Sequence, residues 1–561
     1  MWSTRCVIPL SLALSLFCFL LLLLRPAPAV AVPLLATTHT VCTAGPPTCD
    51  HSTIQAAVDA AGEGDLIKVA EGVYNDIHAR PRADVDNTGV VSQVVYLDKS
   101  VTIRGGYAAP AFADPSAPTL HQTILDAQGQ GRVLYVTGAI TPTVDGMILK
   151  GGYTAQILGE PYFEDDNGGG VYVITAALTL ANCQVIENCA PKSGGGIFMR
   201  SSNTRLLNDV IADNDVFDWG LGSGLAAIGN VTVEDSTIMH NCAEEGGGAW
   251  VANGVHIFNR NIITRNFARL YGGGVYAAWA STLIMQGNQI VNNEAGHGGG
   301  VKTFRHHSAQ IRNNTFLSNT AGADGGGAYL LGSDTSLIAN RFSGNVGFWG
   351  GGLIIDTSDA FVVGNDFSDN VARRGGGLTI YRGGSQLVNN LVTDNHVTES
   401  GSGIYLWDTG QEVLVHNTIA QNTGGDGAGI AVEALEPSAP VLVFLTNTVI
   451  VSQAVGITTT LHSTVTLEST LWHGNGTDWR GDGVVLNRNA RTGAPDFLDP
   501  WPGGYRLGPH SAAIDAGVDA GVTTDIDGWS RPYLAPDLGA YEYWPRAAIN
   551  VNFLPLVHRS D

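Results

Sequence analysis

Four ionisable residues in the middle of the chain have the types that acid–base chemistry needs. Lys302, Arg305, Asp324 and Asp356 lie on neighbouring copies of a repeated segment. A lyase that acts on uronates needs acidic calcium ligands and a basic group that takes a proton, and a glycosidase needs carboxylates around the scissile bond. Asp324 and Asp356 occupy different positions of the repeat, so the sequence does not define their separation. We treat these four residues as candidate catalytic groups, with no metal site assigned and calcium left open as a cofactor.

Aromatic and polar side chains recur at fixed positions of the same copies. Each copy contains a Gly-Gly-Gly triplet, and we expect the first and third residues after it to point inward and the second and fourth to point outward. The outward face would then be exposed, which suits a surface that binds sugar rings. Alternatively, its rings only stabilise adjacent strands. The candidate ligand-binding residues are Trp250, Tyr276, His297, Tyr329, Trp349, Tyr381, Arg382, Tyr405 and Trp407.

The triplets recur with a nearly constant period. Their third glycines advance 259 residues in ten steps from Gly170 to Gly429, so the mean period is about 26 residues. The residues that follow alternate in polarity, as in Leu378-Thr379-Ile380, which is typical of strands rather than helices. A period of this length fits three short strands per coil, and stacked coils form an all-β parallel β-helix. The Asn before each triplet, such as Asn319 and Asn345, is predicted to form a structural ladder at a bend.

This pattern of Asn-x-x-Asn, Gly-Gly-Gly and an apolar strand resembles the repeats of pectin-lyase-like proteins. It is most similar to the repeats of polymorphic outer-membrane proteins and related adhesins, over roughly residues 168–430. The resemblance implies a single-stranded right-handed parallel β-helix. It does not imply one activity, because the same fold serves lyases, hydrolases, esterases, adhesins and inert stalks. We find none of the local catalytic signatures of polygalacturonases, pectin methylesterases or alginate epimerases.

The ends of the chain differ from the repeats. Residues 1–31 have the charge, apolar stretch and Ala-Val-Ala site of a secretory signal peptide. Residues 32–165 are predicted to hold the first coils and a short capping helix that begins at Ser52, and residues 166–490 the repeats. Residues 491–545 resemble the choice-of-anchor region of secreted bacterial β-helix proteins, and we expect a capping fold held by aspartates and Arg531. Residues 546–561 form a tail.

Composition and cysteine content indicate an exported protein. The net charge is −22, which disfavours nucleic acid as a partner, and no segment after the signal peptide reaches transmembrane length. Cys42 and Cys49 lie close together before the first coil, where a disulfide suits an exported protein. We therefore expect a secreted or cell-surface protein.

Three functions remain open from the sequence. The first is binding of extracellular or cell-surface polysaccharide on the outward face. The second is a polysaccharide lyase or glycoside hydrolase that uses the same face, and the third is a passive adhesin or stalk. A charged cluster in a cleft favours an enzyme, whereas a flat row of rings favours a binder.

Overall fold

The computed structural model describes residues 36–81, 89–154, 166–217, 219–279, 281–305, 308–332, 334–499 and 504–545. The predicted signal peptide and tail lie outside these residues. The fold is an all-β right-handed parallel β-solenoid with sixteen strands in one of its sheets, so the predicted fold class is confirmed. The described residues contain one helix, Ile54–Ala60, and no helix among them is both long and apolar enough to cross a membrane.

Each regular coil contributes strands to four rows that run along the solenoid axis. The first row holds the strands that follow the glycine triplets and their equivalents near both ends, and the second row holds the next strand of each coil. The first-row strands are His78–Pro81, Val90–Leu97, Arg132–Thr137, Val171–Ile174, Ala249–Ala252, Val275–Ala278, Val301–Phe304, Ala328–Leu331, Leu353–Asp356, Leu378–Tyr381, Ile404–Trp407, Ala428–Glu433, Val455–Thr459 and Thr477–Gly481. The second-row strands are Thr38–Val41, Leu66–Ala70, Thr102–Tyr107, Thr143–Asp145, Thr179–Ala181, Val255–Asn259, Thr282–Gln286, Ser308–Arg312, Asp334–Ile338, Ala360–Val363, Gln386–Val388, Gln411–Val415, Val441–Thr446, Ser463–Glu468 and Val484–Arg488.

Ile197–Leu207 and Leu225–Glu234 run through both the first and second rows. The third row holds the sixteen short strands Gly72–Tyr74, Thr123–Asp126, Ile148–Lys150, Gln184–Ile186, Val210–Ala212, Thr237–Met239, Ile262–Thr264, Gln289–Val291, Thr315–Leu317, Arg341–Ser343, Asp366–Ser368, Leu391–Thr393, Thr418–Ala420, Val449–Val451, Leu471–His473 and Arg491–Thr492. The fourth row holds Cys189–Ala190, Asp215–Val216, Cys242–Glu245, Phe267–Tyr271, Glu294–His297, Thr320–Ala321, Val371–Arg374, His396–Ser400 and Thr423–Gly424.

Asparagine side chains join the coils at two bends. Asn319 donates from Nδ2 to Oδ1 of Asn345 at 3.0 Å and to the carbonyl of Ile290 at 2.8 Å, and Asn345 Oδ1 also accepts from the backbone N–H of Asn319 at 3.0 Å. A second ladder repeats this pattern at Asn314 and Asn340. Every buried polar atom of such a rung has a partner, so both ladders are structural.

The core lies between the rows and confirms the predicted inward positions. Leu353 and Ile355, the first and third residues after a triplet, are fully buried in the main hydrophobic cluster. The third row adds the stacked rings of Phe316, Phe342 and Phe367, whose centroids are 4.4 and 5.0 Å apart. Burial of such side chains contributes about 1.5–3 kcal/mol each, so the core is the main source of stability along the axis.

The helix covers the N-terminal end of the solenoid. Thr53, rather than the expected Ser52, is its N-cap, because Thr53 Oγ1 accepts from the N–H of Ala56 at 3.2 Å. Ile54 and other apolar residues of the helix join the main core. Just before the helix, Cys42 and Cys49 form a disulfide.

The C-terminal region packs on the side of the solenoid rather than over its end, so the expectation of an end cap is wrong. It contains the antiparallel strands Phe497–Asp499 and Gly504–Leu507 and buries Tyr505 and Leu538 against third-row residues such as Leu471. The reason is that the outer surface of the third row is apolar at these coils. Arg531 pairs with Glu542 at 3.3 Å, with both side chains fully buried. The domain boundaries stay predictions.

Candidate functional site

The candidate residues form one strip along the outer side of the first row. Strand register places Trp250, Tyr276, Lys302 and Tyr329 in one column. Asp356, Tyr381, Trp407 and Glu433 form a parallel column two positions further along each strand. The residues just before the triplets form a third column on the other side: Glu245, Tyr271, His297, Asp324, Trp349 and Arg374. We call these three columns the outer strip.

The expectation that the middle column is exposed is wrong for all its residues from Trp250 to Tyr405 except the half-buried Tyr329. Trp250, Tyr276 and Lys302 are each 4 % exposed, and Tyr405 is fully buried. The reason is the backbone at the first glycine of each triplet, which has a positive φ, 62° at Gly272. The chain there returns so closely over the strand that a Cβ on Gly272 would lie 2.7 Å from the Cβ of Tyr276.

The two side columns and Tyr329 of the middle column therefore form the accessible part of the strip. His297, Tyr329, Trp349, Tyr381 and Trp407 are half-buried, whereas Asp356 is 9 % exposed. Arg305 and Arg382 are exposed at the margin. A ligand on this surface would contact the edges and faces of half-buried rings, with the buried rings as a rigid support.

The central part of the outer strip brings a lysine next to two tyrosine rings. Lys302 Nζ lies 3.3 Å from the centroid of the Tyr329 ring and 5.2 Å from that of Tyr271. The Tyr329 hydroxyl donates to Asp356 Oδ2 at 2.5 Å. His297 Nδ1 lies 3.1 Å from Asp324 Oδ2, so these two form an ion pair when the imidazole is protonated.

Burial dominates the electrostatics of this central part. It lowers the pKa of Lys302 to about 7, against the opposing effect of Asp324, Asp356 and Glu245. Burial also raises the pKa of Asp356, although the hydrogen bond from Tyr329 and the charge of Lys302 act in the opposite direction. An amine with a pKa near neutrality can accept or donate a proton at physiological pH.

Arg305 does not join the other three candidate catalytic residues. Its guanidinium lies 5.2 Å from the Phe304 ring, and no hydrogen bond or ion pair connects this guanidinium to the described residues. Lys302 Nζ contacts the Tyr329 ring, whose hydroxyl donates to Asp356, and the charges of Asp324 and Asp356 both raise the pKa of Lys302 against the effect of burial.

Aromatic rings cover the strip from the coil of Trp349 to that of Trp407, two coils further along the axis. The Trp349 ring meets the Trp407 ring edge-on at 4.7 Å, and Tyr381 stacks on Trp407 at 4.4 Å. These rings approach each other from opposite side columns. Beneath this part of the strip lie the smaller residues Ile354 and Thr379, which are 2 % and 0 % exposed.

Beyond the tryptophans the strip becomes polar. The Tyr405 hydroxyl donates to Glu433 Oε2 at 2.5 Å and accepts from Arg374 Nη1 at 3.0 Å. A cleft of about 310 Å³ opens beside them and is also lined by Asp426 and Arg480. This arrangement offers both signs of charge to a polar ligand.

The structure adds residues that the sequence analysis did not select. Tyr271, Arg374 and Glu433 belong to the strip, the first two at the repeat position before the triplet and Glu433 at the fourth position after it. Trp279 is 51 % exposed and lies 6.1 Å from Trp250, edge-on. Trp279 is the fifth residue after its triplet, one position beyond the fourth-residue column. A strict two-residue alternation therefore does not assign it to the outer face.

Metal binding finds no support in the described residues. They contain no group of three or more His, Cys, Asp or Glu side chains able to hold a metal ion.

A parallel solenoid with asparagine ladders and a strip of side chains on one outer face defines the class of the protein. The family model described as "Right handed beta helix region" matches residues 143–316, 229–367, 261–423 and 299–471. These matches together cover more than half of the chain. The protein belongs to this family.

Comparison with solved structures finds matches of low identity and low TM-score. Pectate lyase Pel9A is 13 % identical over 90 % of this chain and 97 % of its own, with a TM-score of 0.22. The A-module of the Azotobacter vinelandii mannuronan C-5 epimerase AlgE6 is 13 % identical over 79 % of this chain and 94 % of its own, with a TM-score of 0.28. A mutant of the periplasmic alginate epimerase AlgG is 12 % identical over 72 % of this chain and 86 % of its own, with a TM-score of 0.28. A sequence comparison with curated proteins finds no match.

Proposed function

We propose that this protein is exported and binds extracellular polysaccharide along the outer strip. The observation that carries the proposal is the axial alignment of rings and hydrogen-bonding groups over successive coils. Tyr381 and Trp407 lie one coil apart in the same side column, at a spacing of roughly 4.8 Å, and Tyr329 lies two coils before Tyr381 in the middle column. A linear polymer parallel to the axis could contact each of them in turn. The Cys42–Cys49 disulfide supports an oxidising, extracytoplasmic location.

The chemistry of the strip fits a sugar chain better than an apolar ligand. Half-buried rings present faces to the C–H groups of sugars, while His297, Arg374 and Glu433 offer donors and acceptors for hydroxyl or carboxylate groups. Arg382, which is exposed, lies over the Tyr381 ring at 4.7 Å and would add a charge contact at the margin.

Mobility of the protein in native gels that contain single polysaccharides tests the binding. We expect wild type to be retarded by at least one acidic or neutral glycan, and the Tyr381→Ala and Trp407→Ala variants to be retarded less. Each ring should account for a several-fold loss, because a ring contact contributes about 1 kcal/mol. Phe361→Ala is the matched control, since Phe361 is an exposed ring of the second row, outside the strip. No retardation by any glycan would leave the passive adhesin or stalk.

A second candidate function is proton-transfer catalysis on the same polysaccharide, as in a lyase. The observation that favours it is the buried Lys302 amine next to the Tyr329–Asp356 hydrogen bond. Lys302→Met should then abolish unsaturated or reducing-end products while the polymer still binds. Retained binding with no product from wild type on any retarded glycan would exclude this candidate.

A further inference from the structure

The N-terminal end of the solenoid is blocked against further strands. Gln55 of the helix accepts from the N–H of Tyr96 at 2.7 Å and donates to its carbonyl at 3.2 Å, so its amide occupies the edge of the strand Val90–Leu97. The antiparallel strand His78–Pro81 covers another part of that edge. Lys99 Nζ donates to three carbonyl groups at the end of the helix and holds it in place.

The C-terminal end has no such covering in the part of the chain that the structure describes. The last strands of the first and second rows, Thr477–Gly481 and Val484–Arg488, pair only with the coil before them. The C-terminal region lies along the third row and leaves this edge open. The free N–H and C=O groups of such an edge are a template for another strand.

The open edge is also apolar. Trp479, Val484 and Leu486 are 40 %, 52 % and 44 % exposed. Trp479 continues an inward-facing column of the first row and lies 5.9 Å from the buried Trp472 ring. The Trp479 ring covers the end of the hydrophobic core only in part. Exposed apolar side chains beside an unpaired edge indicate a surface that another protein covers.

The charges at this edge complement a copy of the same edge. Asp478 and Arg480 flank Trp479 on Thr477–Gly481. If this strand pairs antiparallel with its equivalent in a second molecule, centred on Trp479, Asp478 lies opposite Arg480 of the partner subunit. By the two-fold symmetry, Arg480 lies opposite Asp478 of the partner subunit. Opposite charges directly across strands are favourable, whereas like charges are not.

We infer that the C-terminal end of the solenoid is a dimerisation surface on which a second copy of this chain docks end to end. Because the N-terminal end is blocked, copies cannot stack head to tail into a filament, and a two-fold contact closes on itself. With the two-fold axis normal to the first-row sheet, the outer strips of both copies lie on the same face. A dimer of this kind would present one surface of twice the length.

Light scattering and small-angle X-ray scattering of the wild-type chain over a wide concentration range test this inference. We expect twice the mass of one chain and about twice its longest dimension. The double variant Val484→Lys with Leu486→Lys should be monomeric, and its fold should persist because both side chains point outward. Val255→Lys is the matched control, since Val255 is a 41 % exposed second-row residue in a strand paired on both sides, and it should stay dimeric.

A charge exchange provides an independent check on the register. Asp478→Arg should weaken the dimer, and adding Arg480→Asp to it should restore the dimer. A wild-type chain that is monomeric at every concentration would overturn the inference. So would a dimer that the double lysine variant retains, or one that Val255→Lys dissociates equally.

Discussion

The Lys302 ammonium lies 3.3 Å from the centroid of the Tyr329 ring, and no carboxylate of the described residues comes within ion-pair distance of it. A cation over a ring gains about 2 kcal/mol when desolvated, whereas loss of hydration at a buried site costs more. Burial therefore lowers the pKa of Lys302 to about 7. Near neutral pH the amine exists in both protonation states, which is what a proton-transfer role or a pH-dependent binding site needs.

Lys302→Met should stabilise the protein at low pH and much less at high pH. The pKa of Lys302 lies below its ordinary value of 10.5, so the cost of its charge in the fold is present in full below about pH 7. This cost decreases as the pH rises towards 10.5. We expect a gain on the order of a few kcal/mol near pH 6 and a small change near pH 10. Denaturant unfolding at both pH values measures the difference.

Lys150→Met is the control for this prediction. Lys150 is only partly buried and lies 3.5 Å from Glu187, so its replacement should change stability little and without this pH trend. A gain for Lys302→Met that is equal at both pH values would show that packing, not the charge, sets its effect.

Asn314→Ala should destabilise the solenoid by several kcal/mol. The amide of Asn314 donates to Met285 O and Asn340 Oδ1, and its Oδ1 accepts from Asn288. Truncation leaves several buried groups unpaired at about 1–3 kcal/mol each. Asn313→Gly is the adjacent control, because Asn313 is exposed with a φ of 54°, which glycine adopts without strain. Melting temperatures that fall equally in both variants would contradict a structural ladder.

Thr379→Asp should be severely destabilising, although the alternation of Leu378-Thr379-Ile380 predicts an outward side chain. Thr379 does point away from the main core, yet it is fully buried, and a Cβ on Gly375 would lie 2.0 Å from its Oγ1. An unpaired carboxylate there has no access to water. Arg382→Asp, at an exposed position of the same coil, should have a much smaller effect. Thermal unfolding compares the two, and a mild Thr379→Asp variant would refute the closed packing.

The burial of Thr379 at a position that alternation assigns to the outer face shows how far the sequence determines the structure. The constant period and the two-residue alternation identify the coils and the inward residues, because both follow from local geometry. Burial of the middle column depends on how the positive-φ glycine, such as Gly272, returns the chain over Tyr276, and alternation carries no information about that. Likewise, the contact between Trp349 and Trp407 joins rings more than one coil apart, which only the assembled structure defines.

Glu412→Gln should stabilise the protein increasingly as the pH rises. Glu412 points into the core with no exposure, and its Oε2 accepts from the N–H of Ser385 at 2.9 Å. Burial raises its pKa from 4.5 to about 9. The unfolded chain therefore loses this proton first, and stability falls as the pH rises from about 4.5 to about 9. Glutamine keeps an acceptor for Ser385 without a charge.

The gain of Glu412→Gln in free energy of unfolding should thus be small near pH 5 and rise by roughly 1.4 kcal/mol per pH unit above it. Glu436→Gln, in an exposed loop, is the control and should show no trend. A constant gain for Glu412→Gln from pH 5 to about pH 8 would mean that this carboxyl is already ionised in the fold.

Arg531→Met should release the C-terminal region while the coils stay folded. Arg531 is fully buried, pairs with Glu542 at 3.3 Å, donates to the carbonyl of Gly539 at 3.1 Å and contacts His416 of the solenoid. Its loss leaves the Glu542 carboxylate buried without a cation, which costs about 3–5 kcal/mol. The coils should persist because the main hydrophobic core does not include this region.

Limited proteolysis measures that release. In Arg531→Met we expect rapid cleavage after about residue 490 and a resistant solenoid, together with binding of a hydrophobic dye to the uncovered side of the third row, where Leu391, Val449 and Leu471 lie. Arg506→Met is the matched control, because Arg506 pairs with Asp527 but is 56 % exposed. A pair at that level of exposure contributes at most about 1 kcal/mol, so its loss should leave the region docked. Equal protease sensitivity of both variants would show that the buried pair does not hold the region in place.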